Sequence, residues 1–277
     1  MGTKPQIKLC VVIGDPVLQS LSPKMHNAAY KALGINKEYL FEAIKVPTEG
    51  LEKFVEKAKG TIHFMAVTIP HKETIIPFID KVDKTAKEIG AVNSVLNVKG
   101  KLVGYNTDCP GAIESLKQYT KLTGREVAVL GSGGSARAIV YGLVKEKSKV
   151  SIYSRNKKKA EGIAKAFGCK SEMWEERGEA SGADIIINTT PIGKNNDGLP
   201  IEEKLIKKGQ IVFDINYSIE GTPLLIAAEK KKAITIDGLE MLLRQGMKQF
   251  EIYTGVEAPE EAMRNALNIK PSYAGTI

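Results

Sequence analysis

Gly131, Gly133 and Gly134 stand between a short apolar run, Val127-Ala128-Val129-Leu130, and a helical pattern that begins near Ala138-Ile139-Val140. Strand, glycine turn and helix in that order form the G-x-G-x-x-G/A loop, whose chemistry is to hold the pyrophosphate of a dinucleotide. In Gly131-Ser132-Gly133-Gly134-Ser135-Ala136, Gly131 permits the tight turn and Gly133 lets the backbone approach the phosphates. The helix N-terminus offers its N–H donors. The next apolar run, Val150-Ser151-Ile152-Tyr153, ends in Ser154-Arg155-Asn156, followed by Lys157, Lys158 and Lys159. An acidic residue there would hold the ribose hydroxyl of NAD, whereas a basic cluster favours the extra phosphate of NADP. The bland alternative is a solvated helix start. Lysine at a helix N-terminus opposes the helix dipole, so an anionic ligand explains the placement better.

A second set of polar residues precedes the loop. Ser20 and Ser22 lie at a strand-turn-helix junction in Gly14-Asp15-Pro16-Val17-Leu18-Gln19-Ser20-Leu21-Ser22-Pro23. Two hydroxyls beside a helix N-terminus can hold a carboxylate; simple capping by Ser22 is the competing reading. Thr68-Ile69-Pro70-His71-Lys72 leaves a strand and puts Lys72 at the rim of a sheet, where a plain surface lysine is the alternative. His71 would point to the opposite face if the strand continued, and is set aside. Asn93 sits early in a hairpin, and Asn106-Thr107-Asp108 follows it, with Asp108 also placed to cap a helix. The three histidines, His26, His63 and His71, show no metal-ligand spacing.

Alternating strands and helices must hold these residues. Before the glycine loop, strands are expected at Leu9 to Gly14, Tyr39 to Ala43 and Phe64 to Ile69, with a hairpin from Val92 to Val98 into Leu102 to Tyr105. Helices are expected from Ser22 to Gly34, from Gly50 to Lys59 and near Val82 to Ile89. A helix from Gly111 to about Tyr119 leads into a second run of strands at Val127–Leu130, Val150–Tyr153, Asp184–Asn188, Ile211–Ile215 and Ile234–Ile236. Helices near 136–146, 157–167 and 222–232 alternate with some of them, the pattern of a doubly wound parallel sheet. The expected organisation is α/β in two domains. An N-terminal substrate-binding domain spans 1–107 and a Rossmann-like NADP-binding domain spans 108–239. Two further helices within 240–277 pack back onto the first domain, with hinges near 106–111 and 237–240.

Composition bounds the class. The chain has 277 residues, 43% hydrophobic and 26% charged, ordinary for a globular protein of two domains. It carries a formal charge of +8. The lysines are spread along the chain with no nucleic-acid motif among them, so a Lys-rich surface serving anionic small ligands is preferred over nucleic-acid binding. No apolar run is long enough to span a membrane and the N-terminus lacks a signal-peptide core. Three widely spaced cysteines, Cys10, Cys109 and Cys169, suit a reducing cytoplasm.

Taken together the motifs resemble those of the shikimate dehydrogenase family, in order and spacing. They are Gly14-Asp15-Pro16-Val17, Ser20-Leu21-Ser22-Pro23, His26-Asn27, Val67 to Lys72, Ala91-Val92-Asn93, Gly104 to Asp108, and Gly131 to Gly134. The match continues through Asn188 to Gly193, Asp214-Ile215-Asn216-Tyr217, Thr222-Pro223-Leu224-Leu225 and Asp237 to Gln245. The resemblance implies NADPH-dependent reduction of 3-dehydroshikimate to shikimate in aromatic amino-acid biosynthesis. It implies that Ser20, Ser22 and Tyr217 hold the substrate carboxylate, and that Thr68, Asn93, Asp108 and Gln245 bind its hydroxyls. Lys72 would donate and accept the proton, with Asp108 beside it. Gly131, Ser132, Gly133, Gly134 and Ser135, with Ser154, Arg155, Asn156, Lys157, Lys158 and Lys159, would bind NADP. Ile215 and Gly238 would approach the nicotinamide through their backbones. The chemistry is coherent. Negative charge grows on the carbonyl oxygen as hydride arrives, and a cationic Lys72 stabilises it and can deliver the proton. A carboxylate beside Lys72 orients it and raises its proton affinity.

Some positions depart from the family pattern. Ala66 stands where Asn is usual, Ser94 where Thr is common, Ser154 and Asn156 flank Arg155 in place of Asn and Thr, and Lys194 replaces a common Met. A quinate/shikimate dehydrogenase using NAD is the alternative within the same chemistry, and Arg155 argues against it. A non-catalytic, nucleotide-sensing relative is a third reading, disfavoured because Lys72, Asp108 and both serines are present. The resemblance leaves monomer and homodimer both open.

Overall fold

The structure is a computed structural model that describes residues 7–269 apart from Asn196 and Ile219. The chain divides into two compact units. Of the described residues, the first holds those up to Thr107 and those from Leu242, and the second holds Asp108–Met241.

The first unit contains β1 (Lys8–Gly14), α1 (Ser22–Ala32), β2 (Tyr39–Lys45), α2 (Leu51–Thr61), β3 (Phe64–Val67), the single turn α3 (His71–Thr74), β4 (Lys81–Val82), α4 (Lys84–Ile89), β5 (Ser94–Val98) and β6 (Lys101–Tyr105). Its sheet has the order β2-β1-β3-β5-β6-β4, with β1 parallel to β2 and β3, and β5 antiparallel to β3 and β6. Alternation along β1 feeds two cores. Cys10 and Val12 join Met25, Tyr30, Phe41 and Phe64 on one face, while Val11 and Ile13 join Leu51, Val55, Met65 and Val67 on the other. Each such side chain, fully buried, stabilises the fold by about 1.5–3 kcal/mol before entropy is set against it.

The second unit contains α5 (Asp108–Lys117), β7 (Glu126–Leu130), α6 (Gly134–Lys145), β8 (Lys149–Ser154), α7 (Lys157–Phe167), β9 (Lys170–Met173), β10 (Ile185–Asn188), β11 (Ile211–Asp214), α8 (Pro223–Lys230) and β12 (Ile234–Asp237). All six strands are parallel, in the order β12-β11-β10-β7-β8-β9. This is the doubly wound Rossmann arrangement, whose order reverses at β7. The edge strand β9 is absent from the sequence expectation, since Lys170-Ser171-Glu172-Met173 has no buried face to produce a pattern.

Two helices complete the chain, α9 (Gly238–Thr254) and α10 (Glu260–Ala266). Leu243, Phe250, Tyr253 and Met263 enter the same apolar cluster as Met25 and Tyr30 of the first unit. Three local expectations need correction. Ser22 is not the N-cap of α1: Leu21 occupies that position and no side-chain hydrogen bond caps the helix. The third strand stops at Val67, and His71 and Lys72 lie in a helical turn rather than on a continued strand. The bridging helix starts at Asp108, three residues before Gly111.

One buried group makes the first unit sensitive to acid. His26 is fully buried, stacks on Phe41 at 4.3 Å between ring centroids, and shares a 2.9 Å hydrogen bond between its Nδ1 and the Tyr253 hydroxyl. Burial pushes its pKa down to about 3 from 6.5, with Gln249 pulling weakly the other way. The folded unit therefore keeps His26 neutral while the unfolded chain protonates it below pH 6.5. Its contribution, on the order of 5 kcal/mol, is present above that pH and is lost as pH falls toward 3. Denaturant midpoints of His26→Gln should fall less steeply than those of the parent between these limits. A resolved ring signal of Tyr253, which packs on His26, is the suitable probe, because the single Trp174 and four of the nine tyrosines lie in the other unit. Parallel pH slopes for the two proteins would contradict the assignment.

Candidate active site

In the first unit the parallel register brings the carboxyl ends of β1 and β3 to one edge of the sheet. Because β5 runs antiparallel to β3, Asn93, just before β5, comes to that same edge, where its carbonyl accepts a 2.8 Å bond from Val67 N–H. The connection after β1 carries Ser20 and leads to Ser22 at the start of α1, the connection after β3 carries Thr68 and leads to Lys72 in α3, and the segment after β6 carries Asn106 and Thr107. Four segments far apart in sequence thus converge.

Gly14 lets the first two approach. A Cβ at Gly14 would lie 2.5 Å from Thr68 Cγ2 and 2.7 Å from Ile69 O. Gly14→Ala should therefore cost about 1–3 kcal/mol and displace the Thr68 loop. Thermal unfolding reads the cost, and a crystal structure of the variant reads the displacement. An unchanged melting temperature would show that the loops are not packed this closely.

Ser20 and Ser22 share one spot. The Ser20 hydroxyl donates to Ser22 Oγ and accepts from Ser22 N–H, both at 3.3 Å. Ser22 is buried and Ser20 half-buried. With the capping role gone, two adjacent hydroxyls face the start of α1, an arrangement suited to a carboxylate.

The turn bearing Lys72 is pinned from several sides. His71 N–H donates to Thr68 O at 2.9 Å, Val92 N–H donates to Lys72 O at 2.7 Å, and buried His71 hydrogen-bonds Val46 O through Nε2 at 2.6 Å. His71, set aside from sequence, therefore anchors the turn that presents Lys72.

Asn93 is held in one orientation. Its Oδ1 accepts from Thr107 N–H at 2.7 Å and from the Ser94 hydroxyl at 2.8 Å. A backbone N–H can only donate, so the other end must be the amino group. That amino group donates to Thr107 Oγ1 at 2.9 Å and to Gln245 Oε1 at 3.3 Å. Gln249, one helical turn beyond Gln245, donates to Ser94 Oγ at 3.0 Å and to Asn93 O at 3.3 Å. Asn93, Ser94, Thr107, Gln245 and Gln249 are all at most 7% exposed. Ser94, Thr107 and Gln249 were not singled out for a site role from sequence. The signal for Gln249 is its i, i+4 spacing from Gln245 on a helix face that also carries Leu242, Phe250 and Tyr253.

In the second unit Gly131 has φ +114° and a Cβ there would fall against the Thr189 hydroxyl, so only glycine fits the turn. Ser132 and Ser154 join hydroxyls at 2.7 Å, linking the glycine loop to the end of β8. Gly133 is the N-cap of α6 and has no side chain to cap its first turn, and a helix N-terminus of this kind suits an anion. Ser154 is buried, while Arg155, Asn156, Lys157, Lys158 and Lys159 are exposed at the start of α7. Asn156 Oδ1 caps that helix, accepting from Lys159 N–H at 3.0 Å, and no acidic residue lies in its first turn.

Ile215 and Tyr217 follow β11 and are half-buried, and Gly238 opens α9. A Cβ at Gly238 would lie 2.6 Å from Asn216 O, so glycine permits this contact with the strand end. Asp214 is fully buried at the end of β11, and burial pushes its carboxyl up to about 6, against hydrogen bonds from Thr222, Asn216 and Asn188. Asp108 is buried as the first residue of α5, directly after Thr107 in the chain. No helix among the described residues is long and apolar enough to cross a membrane.

Comparison with known proteins agrees with this geometry. Residues 12–95 match the shikimate dehydrogenase substrate binding domain and residues 238–267 the shikimate 5'-dehydrogenase C-terminal domain. Residues 126–217 match the family described as NADP oxidoreductase, coenzyme F420-dependent. A shikimate dehydrogenase (NADP(+)) of Thermococcus kodakarensis is 40% identical over 265 residues, covering 94% of this chain and 96% of that one. The crystal structure of a shikimate dehydrogenase in complex with NADP+ superposes with a TM-score of 0.88 at 38% identity, covering 95% of each chain. Shikimate 5-dehydrogenase from Thermus thermophilus, in complex with NADP(H) and shikimate, does so with 0.86 at 32% identity, covering 95% of this chain and 99% of that one.

Proposed function

The chain belongs to the shikimate dehydrogenase family, and from that premise we propose that it reduces 3-dehydroshikimate reversibly to shikimate with NADPH. The observation that carries the reading is the convergence of Ser20, Ser22, Thr68, Lys72, Asn93 and Gln245 in one unit of a chain whose other unit has a dinucleotide loop. The Ser20–Ser22 hydroxyl pair, with Tyr217, takes the substrate carboxylate. Thr68, Asn93, Asp108 and Gln245 take the ring hydroxyls. Asn93 serves as a donor, since its amino end is the one turned toward Gln245.

NADPH, when bound, supplies the hydride. Gly131 and the N-terminus of α6 hold its pyrophosphate, and Arg155 with the lysines of α7 takes the ribose phosphate. Lys72 stabilises the developing alkoxide and delivers the proton, with Asp108 as the carboxylate that orients it. Ile215 and Gly238 bound the nicotinamide with backbone groups. We place the reaction in the cytoplasm, where the three free cysteines stay reduced. Initial rates with shikimate and with quinate, each with NADP and NAD, test the substrate and cofactor together. The shikimate and NADP pair should dominate; a preference for quinate with NAD would replace this reading.

A further inference from the structure

In open parallel sheets, ligands sit beyond the carboxyl ends of the strands, so what fixes those ends fixes the ligand. In the second unit two carboxylates have this place, and Asp214 is the fully buried one. Asn188, Asp214 and Asp237 end β10, β11 and β12 in a single register row. Asp214 Oδ1 accepts from Asn188 Nδ2 at 3.0 Å and from both Asn216 N–H and Asn216 Nδ2 at 3.1 Å. Its Oδ2 accepts from the Thr222 hydroxyl, the N-cap of α8, at 2.7 Å. Among the described residues no basic side chain pairs with it.

The four donors link two strand-end turns. Asn188 Oδ1 accepts from Thr190 N–H at 3.0 Å and from the Thr190 hydroxyl at 2.7 Å, and Asn188 Nδ2 reaches Ile192 O at 3.1 Å. Asn216 Nδ2 donates to Thr190 O at 2.8 Å and to Ile192 O at 3.3 Å. The turn after β10 and the turn after β11 are thus tied to each other through side chains that Asp214 orients. A buried carboxylate is costly and is tolerated only when donors surround it. An apolar residue would have served the core at lower cost.

We propose that Asp214 is a positioning residue for the nicotinamide half of the cofactor: it clamps the 188–193 and 214–217 turns together so that the backbone at Ile215 and Asn216 is held ready. The inference rests on the cofactor reading above. Arg155, which reads the adenosine half, follows β8, three strands from β11 in the sheet, whereas the 188–193 turn touches the glycine loop through Thr189 and Thr190.

The experiment compares two probes on Asp214→Ala and Asp214→Asn. NADPH reports the whole cofactor through the fluorescence of its reduced nicotinamide, and 2',5'-ADP reports the adenosine half alone. Asp214→Ala should weaken NADPH binding or lower kcat about tenfold or more, while 2',5'-ADP affinity stays within about twofold. Asp214→Asn, which keeps an oxygen for Asn188 and Asn216 and can donate to Thr222, should restore most of the loss. If Asp214→Ala does not fold, Asn216→Ala should show the same split, since it cuts the tie between the turns outside the core. Equal losses for both probes would make the role merely structural, and no loss for either would remove it; each result overturns the proposal. Because the binding arms need no carbocyclic substrate, they remain decisive if the parent enzyme fails to reduce 3-dehydroshikimate. Failure of the parent to bind 2',5'-ADP would instead overturn the cofactor reading and the proposal with it.

Discussion

Lys72→Ala lowers kcat for 3-dehydroshikimate reduction on the order of 10³-fold, while NADPH binding changes little. The magnitude is that of losing a positioned general acid, together with the charge that stabilises the alkoxide. Binding survives because the glycine loop and Arg155 belong to the other unit. The backbone of the Lys72 turn has ties of its own through His71, Thr68 and the Val92 N–H, which the substitution leaves in place. Lys72→Arg separates two contributions. It keeps the positive charge but cannot release a proton near neutral pH, so it should recover little activity. Steady-state rates and NADPH fluorescence titration measure both. Activity of Lys72→Ala within about tenfold of the parent would assign proton transfer to another group.

Arg155→Ala shifts cofactor choice. The guanidinium is exposed at the end of β8, beside Ser154 and ahead of three lysines. A charge-assisted contact to a phosphate contributes about 1.5–3 kcal/mol, so kcat/KM with NADPH should fall about tenfold to a hundredfold. NADH lacks that phosphate, and its kcat/KM should change far less. Salt should weaken NADPH binding more in the parent than in the variant, because the lost contact is ionic. Equal losses with both cofactors would mean that Arg155 supports the loop and does not read the phosphate.

The parts of this molecule that were legible in the sequence are those set by neighbours in the chain. The glycine loop is one, because strand, turn and helix are contiguous and Gly131 reports its own backbone. The alternation of β1 and the period of α2 are others. What was not legible depends on residues far apart. The strand before Lys72 was expected to run on to Ile69, since Thr68 and Ile69 are good strand formers. Tertiary ties to Val46 and Val92 coil the chain into a turn instead. Ser22 reads as a cap by type and position, yet Leu21 takes that place and the Ser22 hydroxyl accepts from Ser20 instead. The cluster around Asn93 needs Gln245 and Gln249 from residues late in the chain, and Asp214 gains its meaning only when β10 and β11 lie side by side.

The most direct test of the central claim follows the near-ultraviolet absorbance of NADPH after 3-dehydroshikimate is added to the purified protein. Steady NADPH oxidation with shikimate as product is expected, reversed when shikimate and NADP are supplied instead, and slower with NADH. No oxidation of NADPH by a protein that demonstrably binds it would contradict the account.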